Sequence, residues 1–102
     1  MEVITKFDKV LNIDEKLVSD LLITPNPASA DVTISFELAN ATDMRVVLTD
    51  ISGHELLVVY NDKHNAGAFL KIFSIKTLPT GVYYLKISHS GKNIRIEKII
   101  KN

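Results

Sequence analysis

Hydrophobic and polar positions alternate along most of this chain with a period of two, which is the spacing that sends successive side chains to opposite faces of a strand. The clearest run is Asp31 to Leu38, with Val32, Ile34, Phe36 and Leu38 on one face and Thr33, Ser35 and Glu37 on the other. A second run, Gly81 to Ser88, puts Tyr83, Leu85 and Ile87 opposite Tyr84, Lys86 and Ser88. It is fed by Leu78-Pro79-Thr80, where Pro79 fixes φ and Gly81 relaxes it, so it reads as a central strand entered from a rigid turn. Met44 to Thr49 repeats the pattern with Met44, Val46 and Leu48 inward, and His54 to Tyr60 follows it as the second arm of a hairpin.

The punctuation between runs is turn chemistry. Pro25-Asn26-Pro27 removes two backbone donors and pushes the preceding residues toward extended geometry, which predicts a stiff corner. Asp50-Ile51-Ser52-Gly53 offers a carboxylate to the amides ahead of it and a glycine for positive φ. Ser90-Gly91 suits a two-residue hairpin turn. Asn61 to Gly67 is the most polar segment and is expected to be a surface loop.

Two runs resist a clean assignment. Phe69 to Ile75 has Phe69 and Phe73 on one face and Leu70 and Ile72 on the other, so its register stays open and both sides of the sheet could be buried there. In Lys92 to Lys101, Ile94 and Ile96 share a face with Lys98, and Ile99 and Ile100 break the alternation, which predicts a bulge or an edge position near Lys98. The sum is about seven short strands with no convincing helix from Leu21 onward, the pattern of an all-β, immunoglobulin-like antiparallel β-sandwich.

Composition narrows this. At 102 residues and 46% hydrophobic, the chain holds one domain and one core. Residues 1–20 carry apolar positions at mixed spacing and are expected to be a linker or the tail of a preceding domain, with the sandwich over 21–102. Twelve basic and twelve acidic residues cancel and are scattered, which argues against nucleic acid as a partner. The absence of cysteine removes disulfides, thiolate chemistry and sulfur-ligated metals. No apolar run is long enough to span a bilayer, and the first residues lack a secretory signal. On these grounds the chain is either cytoplasmic or one domain of a longer exported protein.

Candidate chemistry is sparse. His54, His64 and His89 fall in separate turns or strand ends without ligand spacing, so no metal site or cofactor is expected. Asp14, Glu15, Asp50 and Glu97 are separated by whole strands, and no serine sits in a nucleophile elbow, so no catalytic residues are assigned and the chain is expected not to be an enzyme and to have no small-molecule substrate. Phe36 and Tyr83 lie on apolar faces and are expected in the core, which leaves Tyr60 and Tyr84 as the aromatics to inspect for exposure.

The order of the turns carries a resemblance. Pro25-Asn26-Pro27-Ala28, then Asp50-Ile51-Ser52-Gly53, Ala66-Gly67, Leu78-Pro79-Thr80-Gly81-Val82-Tyr83 and finally Lys98-Ile99-Ile100-Lys101 resembles the type A C-terminal sorting domain of the type IX secretion system, over Leu22 to Asn102. Thr24 departs from the pattern, standing where an aromatic often precedes the proline corner. The resemblance implies a secreted or cell-surface protein of a Bacteroidota-type bacterium, carried to the periplasm by an N-terminal signal that a tail by itself would lack. It also implies partners: the outer-membrane translocon, a surface sortase-like peptidase that removes the domain as cargo is released or attached, and a covalently linked N-terminal cargo domain. The positions matching the family's motifs are Pro25, Asn26, Pro27, Gly81, Tyr83 and Lys98, with Lys98 and Lys101 the expected contact residues. The competing expectation is an accessory sandwich of a surface enzyme or adhesin that binds carbohydrate or a neighbouring domain, which an exposed row of aromatics over a groove would favour.

Overall fold

The computed structural model describes residues 17–102, and the mixed apolar spacing of the first sixteen residues lies outside them. Seven strands run in chain order: β1 Val18–Thr24, β2 Asp31–Leu38, β3 Thr42–Thr49, β4 Glu55–His64, β5 Gly67–Ser74, β6 Gly81–His89 and β7 Lys92–Lys101. They form two antiparallel sheets, one of order β1-β2-β5 and one of order β4-β3-β6-β7. This is the expected all-β sandwich, and β6 is interior to its sheet as its pattern predicts.

The alternating runs close the core. Val32, Ile34, Val46, Leu48, Leu85 and Ile87 are wholly buried, joined by Phe36, Leu38, Met44 and Tyr83. Phe36 and Phe69 stack across β2 and β5 with ring centroids 4.5 Å apart. Each such side chain contributes about 1.5–3 kcal/mol on burial, which makes this layer the source of stability in a chain without disulfides. The turns behave as their residues require. Asp50 Oδ1 accepts from the amides of Ser52 and His54 at 2.9 and 3.0 Å. Ser90 and Gly91 both have positive φ, 51° and 76°, the signature of a type I′ hairpin turn.

Three expectations need correction. β4 continues through Asn61 to His64, so the polar segment read as a loop is mostly strand and only Asn65 and Ala66 separate β4 from β5. Its polarity arises because β4 is an edge strand with few covered positions. In β5, Phe69 and Phe73 are buried while Leu70 and Ile72 are each 62% exposed, so the sheet buries one side only. β7 is an edge strand, one of the two alternatives expected for the break near Lys98, and its bulge lies at Ile94, between the pairings Ser88↔Asn93 and Ile87↔Arg95. That extra residue reverses the facing, so Ile99 and Lys101 point inward and Ile96, Lys98 and Ile100 outward. Finally, β1 begins three residues ahead of the boundary expected at Leu21, and Leu17 and Val18 belong to the core, so the packed layer takes in the end of the stretch read as linker.

Candidate functional site

The corner between β1 and β2 contains two prolines, and neither has an N–H to donate. Hydrogen bonding by Pro25-Asn26-Pro27 therefore falls to Asn26, whose side chain reaches across to the other sheet. Asn26 Nδ2 donates to the Lys98 carbonyl oxygen at 2.9 Å, and Asn26 Oδ1 accepts from the Ile100 amide at 3.0 Å. Ala28 continues the contact with backbone alone: its amide donates to the Ile100 carbonyl, and its carbonyl accepts from the Asn102 amide, both at 2.9 Å. Ala28 thus makes a parallel bridge to Lys101 and is itself buried. The carboxamide stands in for one residue of a strand and Ala28 supplies the next, so the outer edge of β7 is capped from Lys98 to its end and on to Asn102.

The inner edge of the same segment pairs with the start of β6. Gly81 faces Lys101, Tyr83 faces Ile99 and Tyr84 faces Lys98. Tyr83 is buried, and its hydroxyl donates to the Pro79 carbonyl at 2.5 Å, which ties the strand to the turn that feeds it. Gly81 takes φ of 158°, close to extended backbone. The structure therefore gathers Pro25, Asn26, Pro27, Gly81, Tyr83, Lys98 and Lys101 at one end of the sandwich, with β7 held between β6 and the proline corner.

These residues present themselves differently. Pro25, Asn26, Pro27 and Lys98 are exposed. Lys101 is only 9% exposed, its stem packed inward and its Nζ donating to the Asn102 oxygen at 3.1 Å. Of the two lysines, Lys98 alone presents its side chain to solvent. Beside the proline corner, between β1 and β7, lies a cleft of about 170 Å³ lined by Leu21, Ile23, Asn26, Arg95, Glu97 and Lys98. On its β7 side Arg95 and Glu97, two residues apart on one strand, pair with each other at 3.0 Å. The backbone pairing of Ala28 with β7 was not signalled by sequence, because a backbone partner leaves no trace in residue type. The role of Asn26 had a trace, since an asparagine between two prolines carries the side-chain polar groups of its corner.

Elsewhere, titratable groups are engaged locally. The Asp50 carboxyl is held below its ordinary range, chiefly by the His54 amide, with the His54 ring and the Ser52 amide adding to this. Arg45 holds Glu55 low through a two-pronged contact at 2.7 Å across β3 and β4. The three histidines have separate partners: His54 meets Asp50, His64 Nδ1 lies 2.8 Å from the Asn65 carbonyl, and His89 Nδ1 lies 3.3 Å from Thr42 Oγ1. Tyr60 and Tyr84 are both half-buried and stand on different strands, with no row of exposed aromatics among the described residues.

Comparison with known proteins places this arrangement. No curated protein matches the chain. A family model described as a secretion system C-terminal sorting domain matches residues 22–102, which takes in the proline corner, β2 to β7 and the capped terminal strand together. The chain belongs to the family of type IX secretion system C-terminal sorting domains, the tails that mark a protein for export to the cell surface or the medium.

Proposed function

We propose that this domain is a non-enzymatic address that is read as a folded surface by the outer-membrane translocon after its cargo has reached the periplasm. A surface sortase-like peptidase then removes it as the cargo is released or attached. The observation that carries this reading is the latch: the proline corner, the start of β6 at Gly81–Tyr83 and the terminal strand form one hydrogen-bonded unit. A signal recognised as a shape needs such a unit, because backbone groups held rigidly cost a partner little ordering entropy on binding. Within it Pro25, Asn26, Pro27 and Lys98 supply the exposed surface, whereas Gly81, Tyr83 and Lys101 hold it in place.

The test is a reporter carrying residues 1–102 at its C-terminus, produced with a periplasmic signal in a type IX-competent host. The intact tail is expected to bring the reporter to the surface or medium in shortened form. Deletion of residues 98–102 removes the β7 half of the latch and is expected to leave the reporter in the periplasm. Normal export of the truncated fusion would refute the proposal.

A further inference from the structure

The two layers are unequal, three strands against four, and the position left uncovered is over β4. Val46 and Leu48 of β3 are wholly buried, yet the β4 residues paired with them, Tyr60 and Leu57, remain half-buried although they face the same way. The free edge bordering this gap belongs to β5, whose Phe69 ring meets Tyr60 edge-on at 5.0 Å.

The four sheet edges are not equivalent. β1 is bulged between Ser19 and Leu22, β4 is irregular at two places, and β7 is bulged at Ile94 and capped at its end by Asn26 and Ala28. These are the devices by which edge strands avoid pairing. β5 has none of them along its backbone: all eight of its residues pair with β2 in unbroken register. Its outward Leu70 and Ile72 are more exposed than any other strand hydrophobic of the described residues. They also continue cross-strand rows through Ser35 to Leu22 and through Thr33 to Thr24, a face without charge at its centre. The single obstacle is Lys71, exposed on the inner side between Phe69 and Phe73, with Nζ 5.6 Å from the Tyr60 ring centroid.

We propose that β5 is the docking edge of this domain, and that an extended segment of a type IX component, apolar–acidic–apolar in sequence, adds to it as a fourth strand and covers Leu57 and Tyr60. The proposal rests on the sorting reading above and adds to the latch a second contact, on the opposite edge of the three-stranded sheet. Strand addition satisfies the open backbone groups of β5, and alternate side chains of the incoming strand meet Leu70 and Ile72 outside and Lys71 inside. The charge selects the occupant. A second copy pairing antiparallel about Lys71 would set two ammonium groups opposite each other, which is unfavourable, whereas an acidic residue there completes an ion pair. The chain's own preceding segment leaves from β1, on the far side of β2.

The export assay with the full tail tests this. Leu70→Lys combined with Ile72→Lys changes two exposed side chains and is expected to lower the surface and medium reporter at least tenfold. Lys71→Glu alone is expected to lower it at least threefold. Circular dichroism of the purified variants should match the parent; if the double variant is unfolded, Lys71→Glu decides. Failure of the parent tail to export would refute the sorting reading itself. An exporting parent with both variants exporting equally well would overturn only the docking edge. A photocrosslinking residue in place of Ile72 is expected to capture a type IX outer-membrane component. Crosslinking to cargo, or a dimer in sedimentation that Leu70→Lys dissociates, would assign the edge to another occupant and overturn the proposal.

Discussion

Replacing Asn26 with alanine tests whether the latch is structural in the way its geometry implies. The substitution deletes two hydrogen bonds, to the Lys98 carbonyl and from the Ile100 amide, and leaves the two made by Ala28. A typical intramolecular hydrogen bond contributes about 0.5–1.5 kcal/mol net, and two would sum to about 1–3 kcal/mol. Both are exposed, so water takes over the freed groups and the lower part of that range applies, about 1–2 kcal/mol. For a domain of this size that is a fall in Tm of about 4–16 °C. Thermal unfolding followed by circular dichroism measures the total, and amide exchange assigns it: the Ile100 amide should lose protection while the Asn102 amide, bonded to Ala28, retains more. An unchanged Tm together with unchanged exchange at Ile100 would refute the reasoning, because it would mean that β7 is held by β6 alone.

Other outcomes follow from the same structure. Tyr83→Phe removes the bond to the Pro79 carbonyl and keeps the buried ring, so it should cost about 0.5–1.5 kcal/mol by urea titration, with the m-value unchanged. Leu85→Ala empties a wholly buried site in the interior strand and should cost about 2–5 kcal/mol, enough to leave a large unfolded fraction at 37 °C in the same titration. Stability should fall in acid through Asp50. Its carboxyl binds a proton less readily folded than unfolded, so its contribution is present above the ordinary value of 3.8 and is lost as pH drops through the lower folded value. Asp50→Asn should flatten the pH dependence of Tm below about pH 4, and an identical acid slope would show that the turn carboxylate is not responsible.

Much of the fold was legible because one rule, the period of two, governs any strand with one covered face. Val32, Ile34, Phe36 and Leu38, or Tyr83, Leu85 and Ile87, face the core wherever their strands lie, and the Asp50–Gly53 and Ser90–Gly91 turns are dictated by their own residues. Local chemistry also placed a stiff corner at Pro25–Pro27. What the corner grips was decided only in three dimensions, since Asn26 meets Lys98 and Ile100 more than seventy residues away. The same holds for the facing of β7, which turns on one extra residue at Ile94 forced by pairing with β6, and for β5, whose apolar residues on both faces were ambiguous until the count of strands in each layer was known. Side-chain pattern determines which way a residue points within its strand. Which strands neighbour one another, and therefore which edges are capped and which left open, is a property of the assembled layers.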